Sequence, residues 1–162
     1  MSQKKQTVYI ETTIVSYIAA RPSRDPFLLG CQRLTRAWWR KERAGYDLFT
    51  SQFTRDEAAR GEPVMAARRL GLLKSCPNLA MSDEVRILAD RILSKVAIPK
   101  DSADDAIHIA MAAAHGLDCL LSWNCRHIAN LTTRRIVRGI CADAGYKMPE
   151  LCTPLELQNL SP

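Results

Sequence analysis

Short apolar runs recur at residues 7–10, 47–51, 79–81, 118–122 and 151–153, with helical stretches between them. Strands joined through helices lie parallel, and a parallel sheet must be covered on both faces. The chain is therefore expected to be α/β, with about four to five short strands flanked by helices. Periodicity leaves the strand order open. No internal repeat, low-complexity tract or Pro/Gly-rich linker divides residues 1–162, so one domain is expected over the whole length.

The helical stretches have readable ends. A first helix spans residues 13–20 and stops at Arg21-Pro22, and a longer one runs over 26–44 with Gly45 as its stop. Further helices follow through Glu57 to Arg60, over 63–74, and from the Ser82-Asp83-Glu84 cap to about 96. The stretch 102–115 ends at Gly116 and 132–144 ends at Gly145; the last run, 151–153, precedes Pro154.

Composition is that of an ordinary globular domain, 47% hydrophobic and 25% charged. The opening apolar stretch is too short for a signal peptide, and no segment approaches a membrane-spanning length. A cytoplasmic protein with no membrane partner is expected. Six cysteines, at 31, 76, 119, 125, 141 and 152, show no C-x-x-C pair and no zinc-site spacing, so they read as small buried hydrophobes. The net charge of +6 is concentrated in residues 1–45, which suits an anionic partner or a solvated basic face.

Ligands of open α/β sheets bind beyond the carboxyl ends of the strands. Glu11 directly follows the first strand, Glu57 lies in the helix after the second, and Asn124 follows the run 118–122. The helix bearing Asp104 and Asp105 precedes that run. In a right-handed βαβ unit it runs antiparallel to the strands, so its first turn shares their edge. Three carboxylate positions and an amide thus reach one rim. Like charges so placed oppose one another's ionisation unless a hard cation such as Mg2+ or Mn2+ joins them. Each residue also has a plainer reading. Thr54 to Glu57 and Ser102 to Asp105 are capping-box patterns, Asp101 is an alternative cap, and Asn124 suits a turn. Glu11, set between an apolar strand and Thr-Thr-Ile-Val-Ser-Tyr-Ile, resists a purely structural account.

These residues also carry a resemblance. Val8-Tyr9-Ile10-Glu11-Thr12-Thr13 resembles the opening acidic motif of PIN domains. Thr50-Ser51 followed by Glu57-Ala58-Ala59-Arg60-Gly61 is similar to their second motif, Asp105-Ala106-Ile107-His108-Ile109-Ala110 to their third, and Leu120-Leu121-Ser122-Trp123-Asn124 to their fourth. The match spans about residues 7–153, in the right order. It implies a PIN-like three-layer sandwich and a Mg2+- or Mn2+-dependent ribonuclease leaving 3′-hydroxyl and 5′-phosphate ends. Within the family the likeness is to VapC-like toxins of bacterial toxin–antitoxin pairs, which are covered by an antitoxin segment and commonly form homodimers. By position, Glu11, Glu57 and Asp105 would be metal ligands and Asn124 would take the fourth place. Two departures stand out: Glu11 replaces the usual Asp, and the neutral Asn124 replaces an acid, which weakens a second metal. Asp101 or Asp104 are the candidates for supplying the missing charge.

On the helix 26–44, Phe27, Cys31, Leu34 and Trp38 form the expected buried stripe, with Trp39 on its flank. Arg33, Arg36, Arg40 and Arg43 recur on the opposite side, as a solvated face or as a ridge for RNA phosphates or a protein partner. His108, one turn after Asp105, and His127, three residues after Asn124, read as substrate or carboxylate contacts, or as structural histidines. Two other readings compete with the nuclease. One is a PIN scaffold that binds RNA or protein without cutting. The other is a phosphatase or dehalogenase, which ranks last because Glu11-Thr12-Thr13 lacks the aspartyl nucleophile.

Overall fold

The computed structural model describes residues 4–96, 103–124 and 131–160, with the side chains of 159 and 160 excepted. Five strands, β1 (Thr7–Ile10), β2 (Asp47–Ser51), β3 (Asn78–Leu79), β4 (Cys119–Leu121) and β5 (Glu150–Cys152), form one sheet. Their order is β3-β2-β1-β4-β5, and every pairing is parallel. The α/β sandwich expected from the alternation of strands and helices is the fold observed.

The strands are apolar on both sides because both sides are covered. Side chains alternate across a strand. Val8, Ile10, Cys119, Leu121 and Cys152 enter one core, while Tyr9, Leu120 and Leu151 enter the other. The first core is closed by α1 (Thr12–Ala19), α2 (Pro26–Lys41), α3 (Gln52–Ala58), α4 (Pro63–Leu73) and α8 (Pro154–Leu160). The second is closed by α5 (Asp83–Lys95), α6 (Ala103–Ala114) and α7 (Leu131–Asp143). Register is fixed by burial. A one-residue slip would turn Ile10 and Leu121, both fully buried, to the wrong face. Each such side chain contributes about 1.5–3 kcal/mol.

The stops expected at Gly116 and Gly145 are present; both adopt positive φ, 67° and 84°, which a side chain would strain. The long second helix is shorter than its sequence pattern. It ends at Lys41, and Arg43–Gly45 forms a separate 3-10 turn. Its burial differs too. Cys31, Gln32, Thr35, Trp38 and Trp39 face the core, whereas Phe27, in the first turn, is 75% exposed. Trp39 is buried rather than flanking. The helix α8 was not anticipated: Pro154 reads as a strand terminator but sits at the first helical position. The signal was present as Thr153-Pro154-Leu155-Glu156, a capping box. Thr153 Oγ1 accepts from Glu156 N at 3.3 Å, and Glu156 Oε2 accepts from Thr153 N at 2.8 Å. No helix among the described residues is long and apolar enough to cross a membrane.

Candidate active site at the reversal of strand order

From β1 the chain builds outward on one side through β2 to β3 and on the other through β4 to β5. The crevice where the order reverses, between the carboxyl ends of β1 and β4, is the usual ligand site of such sheets. Glu11 leaves β1 there with extended backbone and serves as the N-cap of α1. Its Oε1 accepts from the backbone N–H of Thr13 and from the Thr13 hydroxyl. Ser122 and Asn124 follow β4; Ser122 Oγ accepts from the Asn124 N–H at 2.8 Å. Asp105, in the first turn of α6, accepts from Asn124 Nδ2 at 3.3 Å.

Glu11, Asp105, His108, Ser122 and Asn124 line one small cavity over a floor of Leu120 and Leu151. Its volume, about 10 Å³, is room for a single water or small ion. Glu57 does not line the cavity but pairs with His108, which does. Its Oε2 lies 3.0 Å from His108 Nε2 and accepts from Thr12 Oγ1 at 2.5 Å. Ser51, not Thr54, is the N-cap of α3, so Glu57 lies in the second turn and caps nothing.

His108 is the hub of this arrangement. The i, i+3 spacing from Asp105 puts both on one helix face, the signal available in the sequence. Its Nδ1 lies 3.2 Å from the Tyr9 hydroxyl, which also contacts Ser51 Oγ at 2.7 Å and Thr54 Oγ1 at 2.8 Å. Tyr9, Thr12, Thr13, Ser51, Thr54 and Ser122 are not among the site residues expected from the sequence, because hydroxyl-bearing residues near strand ends are common and only the fold gathers these.

The electrostatics follow from burial among acids. Burial pushes the Glu11 carboxyl above its usual range, and Glu57 adds to this; His108 and the two Thr13 hydrogen bonds oppose it. For Glu57 burial also pushes upward, but the His108 hydrogen bond and charge, Thr12 and Arg60 together prevail, and the carboxyl sits below its usual range. Burial disfavours a charged His108, yet its bond to Glu57 and the charges of Glu11, Glu57 and Asp105 raise it above the ordinary histidine value. The Tyr9 hydroxyl, pushed up to about 12 by burial, stays protonated.

The oxygens of Glu11, Asp105 and Asn124 suit a hard divalent cation in kind, and the cavity suits one in size. As the side chains lie, Glu57 is taken up by His108 and Thr12. Among the described residues no three His, Cys, Asp or Glu side chains stand together as a ready set of metal ligands. The donor chemistry thus fits one ion at Glu11 and Asp105, with Glu57 adjacent.

Asp104 does not line the cavity; one residue from Asp105, it points about 100° around the helix. Asp101 and His127 lie outside the described residues. The arginine ridge is partly spent internally. Arg36 donates to the carbonyls of Ile18, at 3.2 Å, and Ala20, tying down the end of α1. Arg43 lies 4.8 Å over the Trp39 ring. Arg33 and Arg40 are exposed, Arg40 donating to the Arg36 carbonyl at 3.3 Å. In comparisons with known proteins, no family model, no curated protein and no solved structure matches this chain.

Proposed function

We propose that this chain is a PIN-type endoribonuclease, the toxin of a toxin–antitoxin pair, which hydrolyses RNA phosphodiesters with the help of Mg2+ or Mn2+. One observation supports the chemistry above the others. Glu11, just after β1, and Asp105, on α6, remote in sequence, meet with Asn124 and His108 around a single cavity at the reversal of strand order, and Glu57 of α3 is held against that histidine. The toxin role, an antitoxin covering the pocket and a homodimer rest on the motif resemblance.

A divalent ion would be held by Glu11 and Asp105, with Asn124 at its margin. When bound it supplies positive charge to the phosphate and to the attacking water. The chain's own residues do the rest. Thr13 fixes Glu11 by two donors on one oxygen, so its carboxylate meets the ligand already oriented. Thr12 and His108 both engage Glu57 Oε2. His108, held by the Tyr9 hydroxyl, keeps Glu57 ionised beside the cavity.

A second reading is favoured by Asn124, whose neutral amide occupies a place where an acid would strengthen metal binding: a PIN scaffold that binds RNA or a protein partner without cutting. Purified protein with Mn2+ and a single-stranded RNA separates the two. The nuclease reading expects cleavage to 3′-hydroxyl and 5′-phosphate ends, a calorimetric Mn2+ isotherm, and loss of both in Asp105→Asn. Binding of RNA with neither cleavage nor a Mn2+ isotherm favours the scaffold. If the wild type neither cuts RNA nor arrests growth on expression, the nuclease reading is lost.

A further inference from the structure

At the opposite edge of the sheet from the acidic cavity lies a larger open groove of about 520 Å³, lined by Lys5, Arg43, Asp47, Leu48, Ser75 and Pro77 among others. Its origin is an interrupted ladder. Alternate residues of a strand direct their backbone groups to opposite neighbours. Asp47 N donates to the Gln6 carbonyl beside β1, and Thr50 N donates to the Pro77 carbonyl on the β3 side. Leu48, two residues before Thr50, therefore also faces the β3 side. But β3 pairs only with Thr50 and Ser51. Pro77, just before β3, has no N–H to donate, and Ser75 lines the groove together with Leu48. Outside the strand ladders, no backbone hydrogen bond to the Leu48 N–H or carbonyl is formed among the described residues. A strand edge with its peptide groups unpaired is a template for another extended chain.

We infer that this groove receives an extended acidic segment of a partner protein, which adds a strand beside β2 at Leu48. Charge selects the occupant. Lys5, whose Nζ donates to the Ala44 carbonyl at 2.8 Å, and Arg43, which lies over the Trp39 ring, are exposed at the groove and bring two positive charges against the single carboxylate of Asp47. A second copy of this chain would bring the same cations to the same place and be repelled. Nucleic acid would use the cations but has no need of an unpaired strand edge. The site is independent of the acidic cavity and of the reaction proposed there.

The test uses the full chain, 15N-labelled, and three synthetic decapeptides. One alternates Val with Glu, one alternates Val with Lys, and one repeats the Val-Glu sequence with its central amides N-methylated. The Val-Glu peptide is expected to shift the Leu48 amide saturably and to slow its hydrogen exchange, while the other two do neither. Lys5→Glu with Arg43→Glu, two exposed changes, should weaken the Val-Glu peptide about tenfold or more. The inference is overturned if the Val-Glu peptide gives no saturable shift, or if the N-methylated peptide binds equally well. It is also overturned if oligouridylate claims the same amides more tightly, or if the free chain sediments as a dimer with the Leu48 amide already protected.

Discussion

Carboxylates brought together in a poorly solvated crevice need positive charge close by, and His108 is the internal source of it. The histidine is 3% exposed and bridges Glu57 to Tyr9. Removing one partner of a buried ion pair leaves the other uncompensated, at a typical cost of about 3–5 kcal/mol. His108→Leu should accordingly lower unfolding free energy by about 3 kcal/mol in urea titrations at pH 7. Adding Glu57→Gln should restore part of that loss; a purely additive double mutant would mean the two side chains are not coupled. A different residue carries a pH signature. Asp118 Oδ2 accepts from the Thr7 N–H and hydroxyl, each at 2.9 Å, and these hydrogen bonds hold its carboxyl below the usual range. A lowered folded value means the contribution is present above the unfolded value, about 3.9, and is lost as pH falls through the folded one. Because Asp118 is largely exposed, the effect is small, about 0.5–1 kcal/mol after allowance for solvent. Asp118→Asn should flatten stability between pH 5 and pH 2 by about that amount, measured by denaturation across that range.

Single contacts at element ends decide how helices meet the sheet. Arg36, on α2, closes off the carbonyls of Ile18 and Ala20 at the end of α1, the helix whose other end carries Glu11. Its replacement by Met keeps the stem but frees both carbonyls. The expected loss is about 1–3 kcal/mol, seen as a lower melting temperature. If the proposed nuclease function holds, RNA affinity should be unchanged, because the guanidinium is occupied within the fold; a drop in RNA affinity at unchanged stability would assign Arg36 to substrate contact instead. The α8 capping box supports a similar expectation: Thr153→Ala should cost about 1 kcal/mol in thermal unfolding. Pro77 acts in the opposite sense, by withholding a donor and so ending the β3 ladder at Asn78.

For the whole molecule, an ion at Glu11 and Asp105 would join β1 to α6 and stabilise the folded state by mass action. At a hundred times its dissociation constant, Mn2+ should contribute about 2.7 kcal/mol. That corresponds to roughly 5–10 °C in melting temperature for a chain of this size. The shift should vanish in Glu11→Gln. If Mn2+ shifts both proteins alike, it binds elsewhere.

Local patterning in the sequence was sufficient for the alternation of strands and helices, because side-chain period and burial on both faces leave a mark on every element. It also yielded Glu11, Glu57, Asp105 and Asn124 as residues of one sheet edge, since each sits at a fixed offset from a strand. What it did not contain was the strand order, the union of Tyr9, Glu57 and His108, the engagement of Arg36, or the unpaired stretch of β2. Those depend on which elements become neighbours, and residues far apart in the chain meet through packing that no local period encodes. Tertiary structure alone brought Tyr9 and Glu57 to the two sides of His108 and an open groove to the far end of the sheet.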